Sequence, residues 1–111
     1  MIRQLLRGFL FNSPRSPNIQ KEVDQQTSRL ALYNLTFCPY CIKVRLAIHS
    51  LHLKIRHRDI DDVRWGDELV QMGGKFQAPC LRIEAENGTS DWLYESSSII
   101  NYLEKRFPLS S

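Results

Sequence analysis

The sequence predicts an α/β domain of order β-α-β-α-β-β-α, built on a mixed four-stranded sheet and preceded by a helical extension. Three observations carry this expectation. A β-type run at 30–35, Leu-Ala-Leu-Tyr-Asn-Leu, passes almost directly into a helical run at 42–51. An alternating run at 53–59 returns after it, and a strand-helix-strand order with so short a return implies a parallel pair joined by a right-handed crossover. Asn87-Gly88, a strong hairpin turn signal, then joins two further strand-like runs.

The opening residues 1–11 are amphipathic: Ile2, Leu5, Leu6, Phe9 and Leu10 share one helical face, with Arg3, Gln4 and Arg7 elsewhere. Arg7 and Gly8 interrupt any signal-peptide core, and no small-residue cleavage site follows. Such a segment suits peripheral membrane contact, docking of a partner, or folding onto its own domain. Residues 12–17 are turn-rich, and Ser16-Pro17 reads as the N-cap and first-turn proline of a short helix over 17–26, with Ile19 and Val23 four apart. On this reading 1–29 is an extension, 30–107 the domain proper and 108–111 a tail.

The first helix of the domain ends near Leu51 and carries Ile42, Val44, Ala47, Ile48 and Leu51 on its apolar face. In the return strand Leu53, Ile55 and His57 share a side, which makes His57 a residue of the sheet margin rather than a general base. Residues 61–72 read as a second helix, acidic at its start and ended by Gly73-Gly74, with Val63, Leu69 and Met72 as its buried set. Ala78-Pro79 precedes a third strand at 80–83. Proline belongs at a strand's beginning, because inside it would cost a ladder bond. The hairpin leads to a strand at 92–94, and the last helix begins around 95–97 and runs through Ile99, Ile100 and Leu103 to Arg106, with Pro108 stopping it. This order brings three loops to one end of the sheet: 37–41, 78–79 and 95–96.

The first of those loops holds the chemistry, Cys38-Pro39-Tyr40-Cys41. A helix start exposes backbone N–H donors and the positive end of the macrodipole, and both favour thiolate over thiol. A cysteine so placed can have its pKa lowered to roughly 3.5–7.5, from about 8.5 when free. Pro39 fits the first turn, where no N–H is missed. Cys38 is then the exposed nucleophile, with Cys41 one turn on and within reach of its sulfur. Zinc wants four ligands, and Cys80, His49, His52 and His57 form no second compact pair. A purely structural disulfide would close too short a loop to remove much unfolded-state entropy. A CxxC beside a βαβ pattern reads as a redox pair of the thioredoxin-like kind.

Composition bounds the rest. At 111 residues the chain is one domain, large enough for a core without staples. The 42% hydrophobic and 24% charged content belongs to an ordinary soluble globular protein, and no run approaches the roughly 18 apolar residues of a membrane span. Three cysteines do not make a secreted disulfide framework, so a reducing, cytoplasmic setting is expected. The net charge is a modest +3, with basic residues scattered at Lys43, Arg45, Lys54, Arg56 and Arg58. A solvated basic face or a small anionic thiol partner fits it better than nucleic acid, since no aromatic residues interleave.

On the residues of the three loops the chain resembles a glutaredoxin. Cys-Pro-Tyr-Cys at 38–41 is the signature of the dithiol type, and Gly73-Gly-Lys-Phe-Gln-Ala-Pro79 is similar to the stretch leading to that family's cis-proline. The stretch 92–103, Trp-Leu-Tyr-Glu-Ser-Ser-Ser-Ile-Ile-Asn-Tyr-Leu, is closer to the N-terminal domain of glutathione transferases and the transferase-like glutaredoxins. The resemblance covers about 30–107. It implies a thioredoxin-like fold and a thiol–disulfide oxidoreductase with glutathione as co-substrate and no bound metal or cofactor. Its partners would be glutathione and glutathionylated or disulfide-containing proteins. Cys38 would attack a glutathione mixed disulfide and Cys41 would resolve protein disulfides. Glu95 and Ser96 would seat the γ-glutamyl group, and Ala78, cis to Pro79, would pair its backbone with the cysteinyl amide. Tyr40 would line the groove.

Some positions depart from the pattern. The lysine that many glutaredoxins carry before the first cysteine is absent from 34–37, leaving Arg64 or Lys75 as substitutes. Ala78 replaces the commoner valine, and Tyr94 stands where transferase-like relatives often have proline. Cys80 is expected as a buried strand residue, with a third redox thiol as its other reading. Two rival functions stand beside the oxidoreductase. Transferase-type conjugation needs an electrophile pocket from a second helical domain, which residues 1–111 do not supply. A glutathione- or iron–sulfur-binding module without turnover is the other; within the resembled family a proline after the nucleophile, here Pro39, disfavours cluster binding.

Overall fold

A computed structural model describes residues 14–109, so the amphipathic segment 1–11 lies outside the described residues. After a first helix, α1 (Pro17–Thr27), come β1 (Leu30–Asn34), α2 (Pro39–Ser50) and β2 (Arg56–Asp59). Then follow α3 (Val63–Glu68), which continues as a π-helical turn over Leu69–Gly73, β3 (Cys80–Glu84), β4 (Ser90–Tyr94) and α4 (Ser96–Arg106). The strands form one sheet in the order β2-β1-β3-β4, parallel between β1 and β2 and antiparallel elsewhere. This is the mixed, thioredoxin-like sheet that the element order implied.

Strand β1 is central and all five of its residues are buried, because helices cover both faces of the sheet. Leu30 and Leu32, with Leu81 of β3, pack against Val44 and Ile48 of α2 and Ile99 and Leu103 of α4. Helix α1 adds Val23 to the same core. It starts where expected, with Ser16 Oγ accepting from Ile19 N at 3.4 Å and Pro17 in the first turn. Arg15, just ahead of it, donates to Leu51 O at 2.7 Å and to Phe107 O at 2.6 Å, fastening the segment before β1 to the ends of α2 and α4.

The other face carries Ala31, Tyr33 and Cys80 under Ile60 and Leu69, with a polar cluster at its margin. Tyr33 donates its hydroxyl to Glu68 Oε1. Arg58 donates to Tyr33 Oη at 2.7 Å and to Glu68 Oε1 at 2.5 Å, and Arg82 reaches the same carboxylate at 3.4 Å. Arg58 also lies over Trp65, 4.3 Å from the ring centroid, and Arg82 over Trp92 at 5.0 Å. One carboxylate thus pins α3 to three strands.

Three expectations are corrected. Pairing of β2 begins at Arg56, opposite Ala31, rather than at residue 53. Leu53 and Ile55 are buried in the approach to the strand, and His57 is exposed on the edge strand. In the second helix Leu69 is fully buried as expected, but Val63 and Met72 are 74% and 55% exposed, so neither belongs to the core. The contact is made instead by Gly66, where an added Cβ would lie 2.8 Å from Ile60 O. The π turn then slips the register by about a residue and turns Met72 outward. On α2 the buried stripe is Cys41, Val44 and Ile48, spaced three and four apart, and Ile42 falls beside it at 39% exposure.

Candidate functional site

The strand register brings the three loops together. Tyr33 near the end of β1 sits opposite Cys80 at the start of β3, and Cys80 sits opposite Tyr94 at the end of β4. The cysteine loop after β1, the Ala78–Pro79 bond before β3 and Glu95-Ser96 after β4 therefore share one edge of the sheet.

Cys38 is the N-cap of α2, with Pro39 in the first turn and Ile42 N donating to Cys38 O at 2.9 Å. The Cys38 thiol is half-buried, while Pro39 and Tyr40 beside it are exposed, Tyr40 by 61%. The backbone N–H of Cys41 faces the Cys38 sulfur. It lowers the thiol's pKa, aided by the Tyr40 N–H, the Cys41 thiol and the Arg45 guanidinium, against a partial desolvation that works the other way. Cys41 is the opposite case. It is fully buried, and burial, followed by the nearby Cys38, raises its pKa, although Leu35 N donates to its sulfur at 3.4 Å. The environments of the two sulfurs push their pKa values apart, down for Cys38 and up for Cys41.

Arg45, read from the sequence only as one of several scattered basic residues, is the side chain that holds this loop. Its guanidinium donates to Asn34 Oδ1 at 2.6 Å, Leu35 O at 3.1 Å and Thr36 O at 2.5 Å. It stands four residues after Cys41 and seven after Cys38, on the same helical face, and that spacing was the available signal.

The Ala78–Pro79 peptide is cis, as the resemblance implied. Pro79 and Cys80 behind it are buried. Burial pushes the Cys80 thiol up to about 12, despite a contact with the Tyr94 hydroxyl, so this sulfur is a neutral strand residue. Glu95 is the N-cap of α4 with φ of 76° and ψ of 120°. For a non-glycine residue that is a strained backbone of the kind that collects at functional sites. Its side chain does not cap the helix, which leaves the first-turn amides around the buried Ser96 as anion-accepting donors. Of the two substitutes for the missing lysine, Arg64 is stacked on Trp65 and paired with Asp62 at 3.5 Å. Lys75 lies in the loop before Pro79 and makes no ion pair among the described residues.

The crystal structure of maleylacetoacetate isomerase from Anaeromyxobacter dehalogenans 2CP-1 with bound dicarboxyethyl glutathione and citrate shares 28% identity at a TM-score of 0.58, over 74% of this chain and 36% of that one. The same enzyme with bound GSH gives 25% identity and 0.57, over 74% and 39%. Glutathione transferase Omega 1C from Trametes versicolor shares the fold at 17% identity and a TM-score of 0.61, over 72% and 37%. The chain therefore spans well under half the length of these solved proteins. No curated protein sequence matches it. Residues 32–111 match the model of the glutathione S-transferase N-terminal domain, and the chain belongs to that family.

Proposed function

We propose that the protein is a glutathione-dependent thiol–disulfide oxidoreductase working through Cys38 and Cys41. The observation that carries this reading is the Cys38 sulfur, half-exposed at a helix start and facing the amides of Cys41 and Tyr40 with Arg45 nearby. The Cys38 thiolate attacks the glutathione sulfur of a glutathionylated protein. A Cys38–glutathione disulfide forms, the original disulfide breaks, and the protein thiolate leaves and takes up a proton. A second glutathione, as thiolate, attacks that intermediate, releasing oxidised glutathione and restoring Cys38. With a protein disulfide, the Cys38 thiolate first forms a mixed disulfide with one of its sulfurs. Cys41 then loses its proton and attacks Cys38, so that a Cys38–Cys41 disulfide forms and the reduced protein leaves. Two glutathiones reduce that pair and depart as oxidised glutathione. The rate follows the thiolate fraction of the attacking sulfur and the pKa of the leaving one. Ala78 and the start of α4 at Glu95 and Ser96 hold the tripeptide, and Tyr40 forms a wall. Solved relatives with bound glutathione and glutathione adducts support that choice of co-substrate.

Conjugation of glutathione to an electrophile is the second reading, favoured by the match to the glutathione S-transferase N-terminal domain. The two separate cleanly. Wild-type protein should reduce a glutathionylated peptide and a protein disulfide in a glutathione-coupled assay. Cys41→Ser should keep the first reaction within about twofold and lose the second by tenfold or more, because only the second needs a resolving thiol. Equal losses would end the division of labour, and conjugation without disulfide turnover would establish the transferase reading instead.

A further inference from the structure

One side chain spans two of the three loops. Tyr94, the last residue of β4, donates its hydroxyl to the Lys75 carbonyl at 3.1 Å. The same hydroxyl contacts the Cys80 thiol, and the Lys75 ammonium lies 5.4 Å from the Tyr94 ring centroid. Gly73 makes room for it, since a Cβ at that position would lie 2.8 Å from the hydroxyl and 2.8 Å from Trp92 Cε3. From Lys75 the chain runs three residues to Ala78, and from Tyr94 it runs directly into the strained Glu95 and Ser96.

We infer that Tyr94 is a positioning residue of the glutathione site, a latch whose hydroxyl holds the 74–79 loop, and with it the Ala78 backbone, in register with the start of α4. The inference rests on the reading above, in which those two segments grip the tripeptide. The latch is built to persist. Burial, then the neighbouring Cys80, pushes the phenol up to about 12, so it stays a donor across the neutral range. A loop fixed before binding spares the ligand the cost of ordering it. In the sequence Tyr94 stands out only as a departure from proline. Proline at that position would have no hydroxyl to reach Lys75.

Tyr94→Phe in the full chain tests this, because it keeps the ring between Gly73 and Lys75 and removes only the hydroxyl. The dissociation constant for glutathione by calorimetry, and KM for a glutathionylated peptide, should rise about three- to tenfold, the range of one lost hydrogen bond. The rise should be the same at pH 6 and pH 8. Both kcat and the thiolate titration of Cys38 should stay unchanged, and amide hydrogen exchange at residues 75–78 should quicken. An unchanged dissociation constant, or a loss in kcat with KM unmoved, would overturn the latch. Wild-type protein that binds glutathione but turns over no disulfide would sink the oxidoreductase chemistry alone, and the affinity of Tyr94→Phe would still decide the latch.

Discussion

Cys38→Ser should lower glutathione-dependent reduction of a glutathionylated peptide by at least about a thousandfold. A serine hydroxyl forms no anion at neutral pH, so the amides of Cys41 and Tyr40 and the Arg45 guanidinium have nothing to stabilise. Cys41 cannot stand in. It is fully buried, takes the Leu35 N–H at 3.4 Å, and has its pKa raised by burial. The half-buried Cys38 side chain touches the solvent edge of the site, so the variant should fold with an unchanged circular dichroism spectrum. Retention of a tenth or more of the wild-type rate would remove Cys38 from the reaction.

The largest stability effect should come from Glu68→Ala. Arg58 and Arg82, whose side chains are 14% and 13% exposed, share that one carboxylate, and Tyr33 donates to it as well. Removing it leaves two nearly buried cations facing each other without an anion. For a fully buried pair such a loss costs about 3–5 kcal/mol. Glu68 is itself 26% exposed, so about 2 kcal/mol is expected, and the melting temperature should drop by roughly 10 °C. Glu84→Ala is the control. Its pair with Arg56 spans 3.7 Å, and the two side chains are 41% and 50% exposed, a setting worth under about 1 kcal/mol. Equal melting shifts for the two variants would show that the cluster does not fasten α3 to the sheet.

Much of the fold was legible because local signals agreed with the tertiary arrangement. Ser16-Pro17 starts α1, Asn87-Gly88 turns the hairpin, and the apolar run of β1 marks the central strand. The errors fall where one element's contact depends on another. Gly66 carries no hydrophobic signal, yet its missing side chain is what lets α3 approach Ile60, so periodicity placed Val63 and Met72 in a core they do not enter. In the candidate site the two cysteines and their helix start could be read from spacing and Pro39. The cis bond at Ala78–Pro79 came from resemblance alone, because nothing in the local sequence demands it. The contacts of Arg45 and Tyr94 were not legible, although the spacing of Arg45 from the two cysteines was. Arg45 meets Asn34 Oδ1 and the Leu35 and Thr36 carbonyls, Tyr94 meets the Lys75 carbonyl, and the path of those loops is not displayed by any sequence pattern.

The most direct measurement is a titration of thiolate absorbance against pH, made on the wild-type chain and on Cys38→Ser. One step below the ordinary thiol value of about 8.5 is expected in the wild type and should vanish in the variant, with the remaining cysteines ionising above it. Three thiols that all titrate at or above that value would contradict the account, because no sulfur would then be held ready to attack.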